Sequence, residues 1–430
     1  MKIALWVLFL SFTNSIKAQL SDIEKKKIIS RIGEVLEERY VFPEMAETMK
    51  NGILENFASG NYDTVSSGRG FAFQLTEDLR NISKDLHLGV SYSDSEISTD
   101  SIPTVRELKE QQEWMDTILK ENGYGVTKTD ILEGNIGYIE MPMFGPLDRC
   151  ADTLVAAMRK IEDTKALIID LRNCRGSLDE NTIPFLCSYF FEEPVHLFDF
   201  YIRPSDTTKQ FWIYAWLPYK KYVDKPIFIL TSGRTFSGGE ELAYDLQQLK
   251  RAMLIGETTK GGANPNERVV INTHYAMAVP YMRSVNPITQ TNWEGSGVQP
   301  DSTVTSNRAL YAAHILALDT LLTATTDVTQ RRILSDQIKK VEAAKPVFRK
   351  VKFVLEGFED ASEVIVSGSF NFWGSDVSMA KQGNKWMAEV EVNPGAISYQ
   401  FIVDGRWITD PANPHTTSEN GHTNSLLKVP

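Results

Sequence analysis

An α/β core between a helical N-terminal region and an all-β C-terminal domain is the fold class that this 430-residue sequence predicts. Three observations lead there. Residues 166–171, Asp170 apart, and 226–230 are continuous apolar runs, as expected of strands buried on both faces, and they alternate with stretches of helical periodicity. Residues 21–95 instead place apolar side chains at helical spacing almost throughout. Beyond residue 348 the period falls to two, with hairpin chemistry at Asp404-Gly405.

The segments follow in order. Lys2 and the apolar run 3–12 predict a signal peptide over residues 1–18, with Ala18 at the cleavage edge. That run is shorter than the about 20 residues a spanning helix needs. No later segment reads as a membrane span, so the mature chain is expected to be exported, to a periplasmic or extracellular location. Residues 19–95 are expected to form a helical domain, opened by a Ser21/Glu24 capping box and carrying Ile28, Ile32, Val35 and Leu36 on one face. Pro43 interrupts the pattern. Residues 96–134 connect it to the core and hold one helix near 104–121. The α/β core occupies 135–325, a helical linker rich in Lys, Arg, Glu and Ala 326–347, and the β domain 348–430.

Composition narrows the function. The chain is 42% hydrophobic and 23% charged, with a formal net charge of −11. Such a balance favours neither nucleic acid nor an anionic membrane as partner. Cys150, Cys174 and Cys187 form neither a disulfide framework nor a metal-ligand spacing, and no cofactor or metal is expected.

The segment 231–240 reads Thr-Ser-Gly-Arg-Thr-Phe-Ser-Gly-Gly-Glu. A buried strand ends just before it and a helix begins just after Ser237. A serine there sits on a tight turn at the carboxyl end of the sheet, and the amide of Gly238 points out of a helix N-terminus, where negative charge is favoured. A plain N-cap serine has the same local pattern. A nucleophilic serine needs a base, and the chain has six histidines. His87, in Lys-Asp-Leu-His-Leu-Gly-Val, ends the helical region. Spacing alone does not bring it to Ser237. Glu294 stands in Trp-Glu-Gly-Ser-Gly-Val-Gln-Pro-Asp, a loop sequence where functional and merely exposed carboxylates look alike.

Five segments in order resemble the C-terminal processing, or tail-specific, serine peptidase family. They are 87–89 (His-Leu-Gly), 170–176 (Asp-Leu-Arg-Asn-Cys-Arg-Gly), 231–237, 256–263 (Gly-Glu-Thr-Thr-Lys-Gly-Gly-Ala) and 293–301. The first and last point to the branch that includes interphotoreceptor retinoid-binding protein and the tricorn protease core. The resemblance implies a crotonase- or Clp-like core and a peptide or protein substrate. It also implies a catalytic set of Ser237, His87 and Glu294, with the amides of Gly176 and Gly238 as oxyanion hole. In the lysine-using branch the base would fall on Gly262 here, so Lys260, two places early, is not assigned as base. Ser177 replaces a glycine of the family's turn, Arg175 stands where it can meet a substrate carboxylate or solvent, and residues 96–134 are too few for the substrate-capturing PDZ module of many relatives.

Residues 366–373 (Val-Ser-Gly-Ser-Phe-Asn-Phe-Trp), 399–407, 410–414 and 421–424 resemble the glycogen-binding module of AMP-activated kinase β subunits. The resemblance implies an early-set β-sandwich and an α-glucan ligand, with Trp373, Trp407 and Asn424 as contacts. Tryptophans near turns can stack on the apolar C–H face of a pyranose. Gln400 and Asn420 replace the family's lysine and leucine, and Trp386 reads as a core residue. The expectation is an exported serine peptidase with a glycan-targeting module. A catalytically silent ligand- or glycan-binding protein of the same fold is the alternative.

Overall fold

The structure, a computed structural model, describes residues 20–99, 104–217, 219–374, 377–419 and 421–430. The expected signal peptide and Asn420 lie outside the described residues. Two compact units emerge from the contacts. One comprises the chain up to Pro103 with Arg203–Ser205 and Asn266–Met282; the other comprises Thr104–Ile202, Asp206–Pro265 and Arg283–Pro430.

In the first unit, helices Asp22–Arg39, Pro43–Ala58 and Gly68–Ser83 form from amphipathic segments with clear start signals. The Ser21 amide donates to Glu24 Oε2 at 2.9 Å, closing a capping box. Pro43 begins the second helix rather than breaking one, because its missing N–H is an orphan donor at that position anyway. Ile28, Ile32, Val35 and Leu36 are fully buried, together with Met49, Ile53, Phe71 and Leu75. The helices pack with a three-stranded antiparallel sheet, in the order Gly89–Tyr92, Tyr275–Pro280 and Asn266–Val270. A purely helical reading of residues 21–95 therefore misses a strand. Gly-Val-Ser-Tyr is too short to show a period, and its partner is nonlocal: Ser91 Oγ donates to the carbonyl of Ala276, 185 positions later.

The second unit is built on a six-stranded sheet. Its order is Ser302–Thr303, Met253–Gly256, Ile227–Thr231, Ala166–Asp170, Ile136–Glu140 and Lys128–Leu132; all neighbours are parallel except the last pair. Helices Leu147–Ile161 and Gly238–Gln248 make crossovers. The two apolar runs of the sequence are the central strands, buried at every residue. Helix Val105–Glu121 precedes the sheet, capped by Thr104 and Glu107. Helices Ser306–Ala324 and Val328–Ala343 cover one face, packing Ala309, Ala313, Ala317, Leu334 and Val341 with Ile168, Phe228 and Leu230. The helix expected as a linker is thus docked through one narrow apolar stripe, which its charged composition masks.

The β domain has two sheets. Arg349–Glu356, Lys385–Val392 and Ala380–Gln382 form one. Val364–Gly368, Gly395–Val403, His422–Val429 and Thr416–Glu419 form the other, with Arg406–Ile408 added on Gly395–Val403. Phe353, Val366, Phe401 and Trp386 fill the space between them. An ion pair of 2.8 Å from Arg308 to Glu391 joins this domain to the helix over the sheet. Among the described residues no helix is long and apolar enough to cross a membrane.

Candidate active site

The carboxyl ends of the two central strands carry the residues that the sequence singles out. After Ala166–Asp170 the chain turns through Leu-Arg-Asn-Cys-Arg-Gly. Asp170 and Arg172 form a two-pronged ion pair (Nε to Oδ1 2.9 Å, Nη2 to Oδ2 2.6 Å), and Tyr138 Oη donates to Asp170 at 2.7 Å. After Ile227–Thr231 each hydroxyl of the Thr-Ser-x-x-Thr motif ties this second turn to a neighbour. Thr231 donates to the carbonyl of Glu257 (2.8 Å), Ser232 to that of Arg172 (2.6 Å) and Thr235 to that of Leu171 (2.8 Å). The Phe236 amide reaches the carbonyl of Cys174 at 3.0 Å. The motif is therefore a set of struts between turns.

Ser237 comes at the end of these struts. Its φ of 52° lies in the left-handed region that a serine rarely occupies, a cost of about 1–3 kcal/mol that the surroundings must hold. Such a turn lifts the side chain at the mouth of the helix Gly238–Gln248. Gly176 (φ 119°) approaches so closely that a Cβ there would lie 2.9 Å from Ser237 Cβ. A Cβ on Gly238 would lie 2.5 Å from Ser177 Cβ. Gly238 is the first residue of its helix, so its amide has no intrahelical acceptor. Ser237, Gly176 and Gly238 are thus assembled in one place. Ser177, the departure from the family's glycine, turns its Oγ to the carbonyl of Asp179 (2.6 Å).

The holder of this geometry is Glu240, to which the sequence reading gave no role. Its carboxylate accepts four donors: the amides of Ser237 (2.8 Å), Gly261 (2.6 Å) and Gly262 (2.9 Å), and Thr259 Oγ1 (2.5 Å). Burial pushes its pKa up, and the four donors oppose that rise. The signal was present as Ser-x-x-Glu, the capping-box spacing.

Glu294 sits on the neighbouring loop. Its Oε2 accepts the Ala263 amide at 2.5 Å, and the indole of buried Trp293 donates to the carbonyl of Gly262 at 2.9 Å. Glu294 and Ser237 are therefore tied to one loop, 259–263, through Glu240 and Trp293. Lys260, on that loop, extends its Nζ over the Phe236 ring at 5.3 Å from the centroid.

His87 belongs to the first unit, in a turn held from several sides. Arg80 donates to the carbonyls of Leu88 (2.7 Å) and Leu86 (3.0 Å), and the His87 amide donates to Asp85 Oδ1 at 2.9 Å. Asp85 Oδ1 also lies 3.9 Å from His87 Nδ1, and Tyr40 Oη donates to Asp85 Oδ2 at 3.1 Å. The sequence reading missed Asp85; an Asp two residues before a His is an Asx-turn signal. The three cysteines are buried free thiols, and burial raises the Cys174 pKa to about 12.

On the β domain, the rings of Trp373 and Trp407 lie 6.3 Å apart at 49°, and Trp407 is half exposed. Asn424 is buried, and its Oδ1 accepts from Gln400 Nε2 at 3.0 Å.

Comparison with known proteins supplies the family. Residues 135–304 match peptidase family S41, residues 20–133 the N-terminal domain of that family in eukaryotic IRBP, and residues 351–430 the glycogen recognition site of AMP-activated protein kinase. The human 5'-AMP-activated protein kinase subunit beta-2 is 34% identical over 102 residues, which are 24% of this chain and 35% of that protein. The rice protein FLOURY ENDOSPERM 6, chloroplastic, is 31% identical over 104 residues, 24% of this chain and 20% of its own. This chain spans about a third of the length of the kinase subunits it matches first. Among solved structures, a lipoprotein from Streptococcus agalactiae aligns with TM-score 0.47 and 16% identity over 69% of this chain and 96% of its own. The photosystem II D1 C-terminal processing protease aligns with TM-score 0.41 and 14% identity over 66% and 93%. The chain belongs to peptidase family S41, with the N-terminal domain of the IRBP type and a glycogen-recognition module of the AMP-activated kinase β kind at its C-terminus.

Proposed function

We propose that this protein is an exported serine peptidase that cleaves peptide bonds through an acyl-enzyme, and that its terminal module binds α-glucan. The observation that carries the peptidase reading is the strained Ser237 at a helix N-terminus with Gly176 packed against it. In this mechanism His87 takes the Ser237 proton as Ser237 Oγ attacks the substrate carbonyl carbon. The amides of Gly176 and Gly238 receive the oxyanion, where two fixed donors act more strongly than water. His87 then gives its proton to the leaving amine, and water hydrolyses the ester by the same route in reverse. Glu294 orients the imidazole. Asp85, which accepts the His87 amide at 2.9 Å and lies 3.9 Å from its Nδ1, helps hold the turn that carries the imidazole. Trp373 and Trp407 stack on sugar rings, and Asn424 supplies a polar contact to the glucan.

The test is labelling of the mature protein with a fluorophosphonate and mapping of the modified residue. Labelling at Ser237, lost in Ser237→Ala and slowed by about 10³-fold or more in His87→Ala, is the expected result. Lys260→Ala as damaging as His87→Ala would move the base to lysine. No labelling in the wild type would leave the silent binding protein.

A further inference from the structure

The glucan-stacking rings and the peptidase turns face the same space. A cavity of about 880 Å³ within the second unit is lined by Trp373 and Trp407 of the β domain and by Arg175, Arg234, Phe236 and Lys260 of the core turns. Arg175 immediately precedes Gly176, and Phe236 immediately precedes Ser237, so these lining residues belong to the turns that carry the candidate nucleophile. The two groups also touch: the Arg234 guanidinium lies 4.6 Å from the centroid of the Phe372 ring, next to Trp373, while its Nη2 donates to Asn173 Oδ1 at 3.0 Å. The volume sits at the upper end of the roughly 300–1,000 Å³ typical of ligand sites.

A module that tethers an enzyme to bulk polysaccharide has its stacking rings facing open solvent. Here the rings, although Trp407 is half exposed, also line a cavity that residues of the candidate catalytic turns share. A long glucan running across both rings would fill the space beside the turns that carry Ser237. A short saccharide attached to the peptide itself occupies the rings and leaves the rest of the chamber to its carrier. Among the described residues that line the cavity, three are cationic, Arg175, Arg234 and Lys260, and one is a carboxylate, Glu121, a balance that suits an acidic peptide in that remainder.

We propose that the two modules form one bipartite substrate site, and that its substrate is an acidic peptide carrying a short α-linked glucosyl chain, with the sugar on Trp373 and Trp407 and the peptide against Arg175, Arg234 and Ser237. This rests on the peptidase and glucan readings above. It adds that both ligands are parts of one molecule. Joining two weakly held parts raises affinity by about 10²–10⁴ when the geometry lets both bind at once.

Two measurements test it. The first uses the full-length Ser237→Ala variant, which needs no catalysis. It is titrated, by tryptophan fluorescence, with an Asp/Glu-rich randomised hexapeptide library in two matched forms, plain or with one serine carrying α-maltotriose, and with maltotriose alone. The glycosylated library should bind at least about tenfold more tightly than either part, and that advantage should vanish in Trp407→Ala and in Arg234→Ala. Equal affinity of the glycosylated library and maltotriose overturns the proposal. The second uses wild-type enzyme on the same libraries, with fluorophosphonate labelling as a separate control of the peptidase reading. The ratio of glycosylated to plain cleavage should exceed about ten and fall to one in Trp407→Ala. A ratio of one in the wild type, with retention on insoluble amylopectin, means a tether and refutes the shared site. Loss of labelling with the binding advantage intact would sink the peptidase reading while sparing the bipartite site.

Discussion

Glu240→Gln tests the idea that one buried carboxylate holds the nucleophile turn. The carboxylate presents two acceptor oxygens to four donors: Oε1 takes Thr259 Oγ1 and the Gly261 amide, Oε2 the amides of Ser237 and Gly262. Glutamine keeps the volume but has one oxygen and one amino group. Whichever way it turns, two of the four donors meet the amino group. The Thr259 oxygen already accepts the Val298 amide at 2.6 Å, so accepting the new amino group as well would use its second lone pair and leave its own proton to find another acceptor. One or two buried donors are left stranded, at about 1–3 kcal/mol each, so the expected loss is about 2–4 kcal/mol. Denaturant unfolding of wild type and variant at one pH measures it, with fluorophosphonate labelling in parallel. Labelling should slow as well, because the Ser237 conformation loses part of its support. A variant within about 0.5 kcal/mol of wild type, the range of a neutral surface change, would refute the reasoning.

Two further predictions follow from the same region. Glu241, buried and hydrogen-bonded to Ser284 Oγ at 2.9 Å, has its pKa raised to about 8 by burial, and burial raises nearby Asp245 as well. A raised folded pKa means that the unfolded state loses its proton first. The stabilisation is complete below about pH 4.3 and lost as pH rises toward 8, at up to about 1.4 kcal/mol per pH unit for one group. Glu241→Gln, permanently neutral, should therefore gain stability over wild type as pH rises from 5 to 8; parallel stability–pH curves would exclude it. Gly176→Ala should cost about 2–4 kcal/mol and abolish labelling, since its φ of 119° and a Cβ 2.9 Å from Ser237 Cβ combine strain with overpacking. Labelling at the wild-type rate would show that Gly176 does not crowd the nucleophile.

Some of this molecule was legible in the chain alone. The central strands were visible because strands buried on both faces are largely apolar, as 166–169 and 226–230 are. The β domain was visible because its pleat imposes a period of two, and buried Trp386 lies on one of its strands as expected. Local start signals, Ser21 with Glu24 and Thr104 with Glu107, marked helices within a few residues. The chemistry-bearing turns were legible as ordered motifs around Ser237 and Gly176.

The tertiary structure decided what depends on distant partners. Strand Gly89–Tyr92 exists because Tyr275–Pro280 offers it an edge, and no short-range pattern records that pairing. Helix Val328–Ala343 is part of the core cover because Leu334 and Val341 find the sheet, although its composition resembles a solvated linker. Glu240 looked like an ordinary first-turn acid; only folding brings the 259–262 loop onto its carboxylate. The cavity that joins Trp407 to Arg175 is likewise invisible along the chain, because its walls lie on residues widely separated in sequence. The sequence determined each wall, since local periodicity and turn chemistry act over a few residues. Which walls face each other was decided by long-range burial, where the free energy comes from surfaces that meet only in the folded chain.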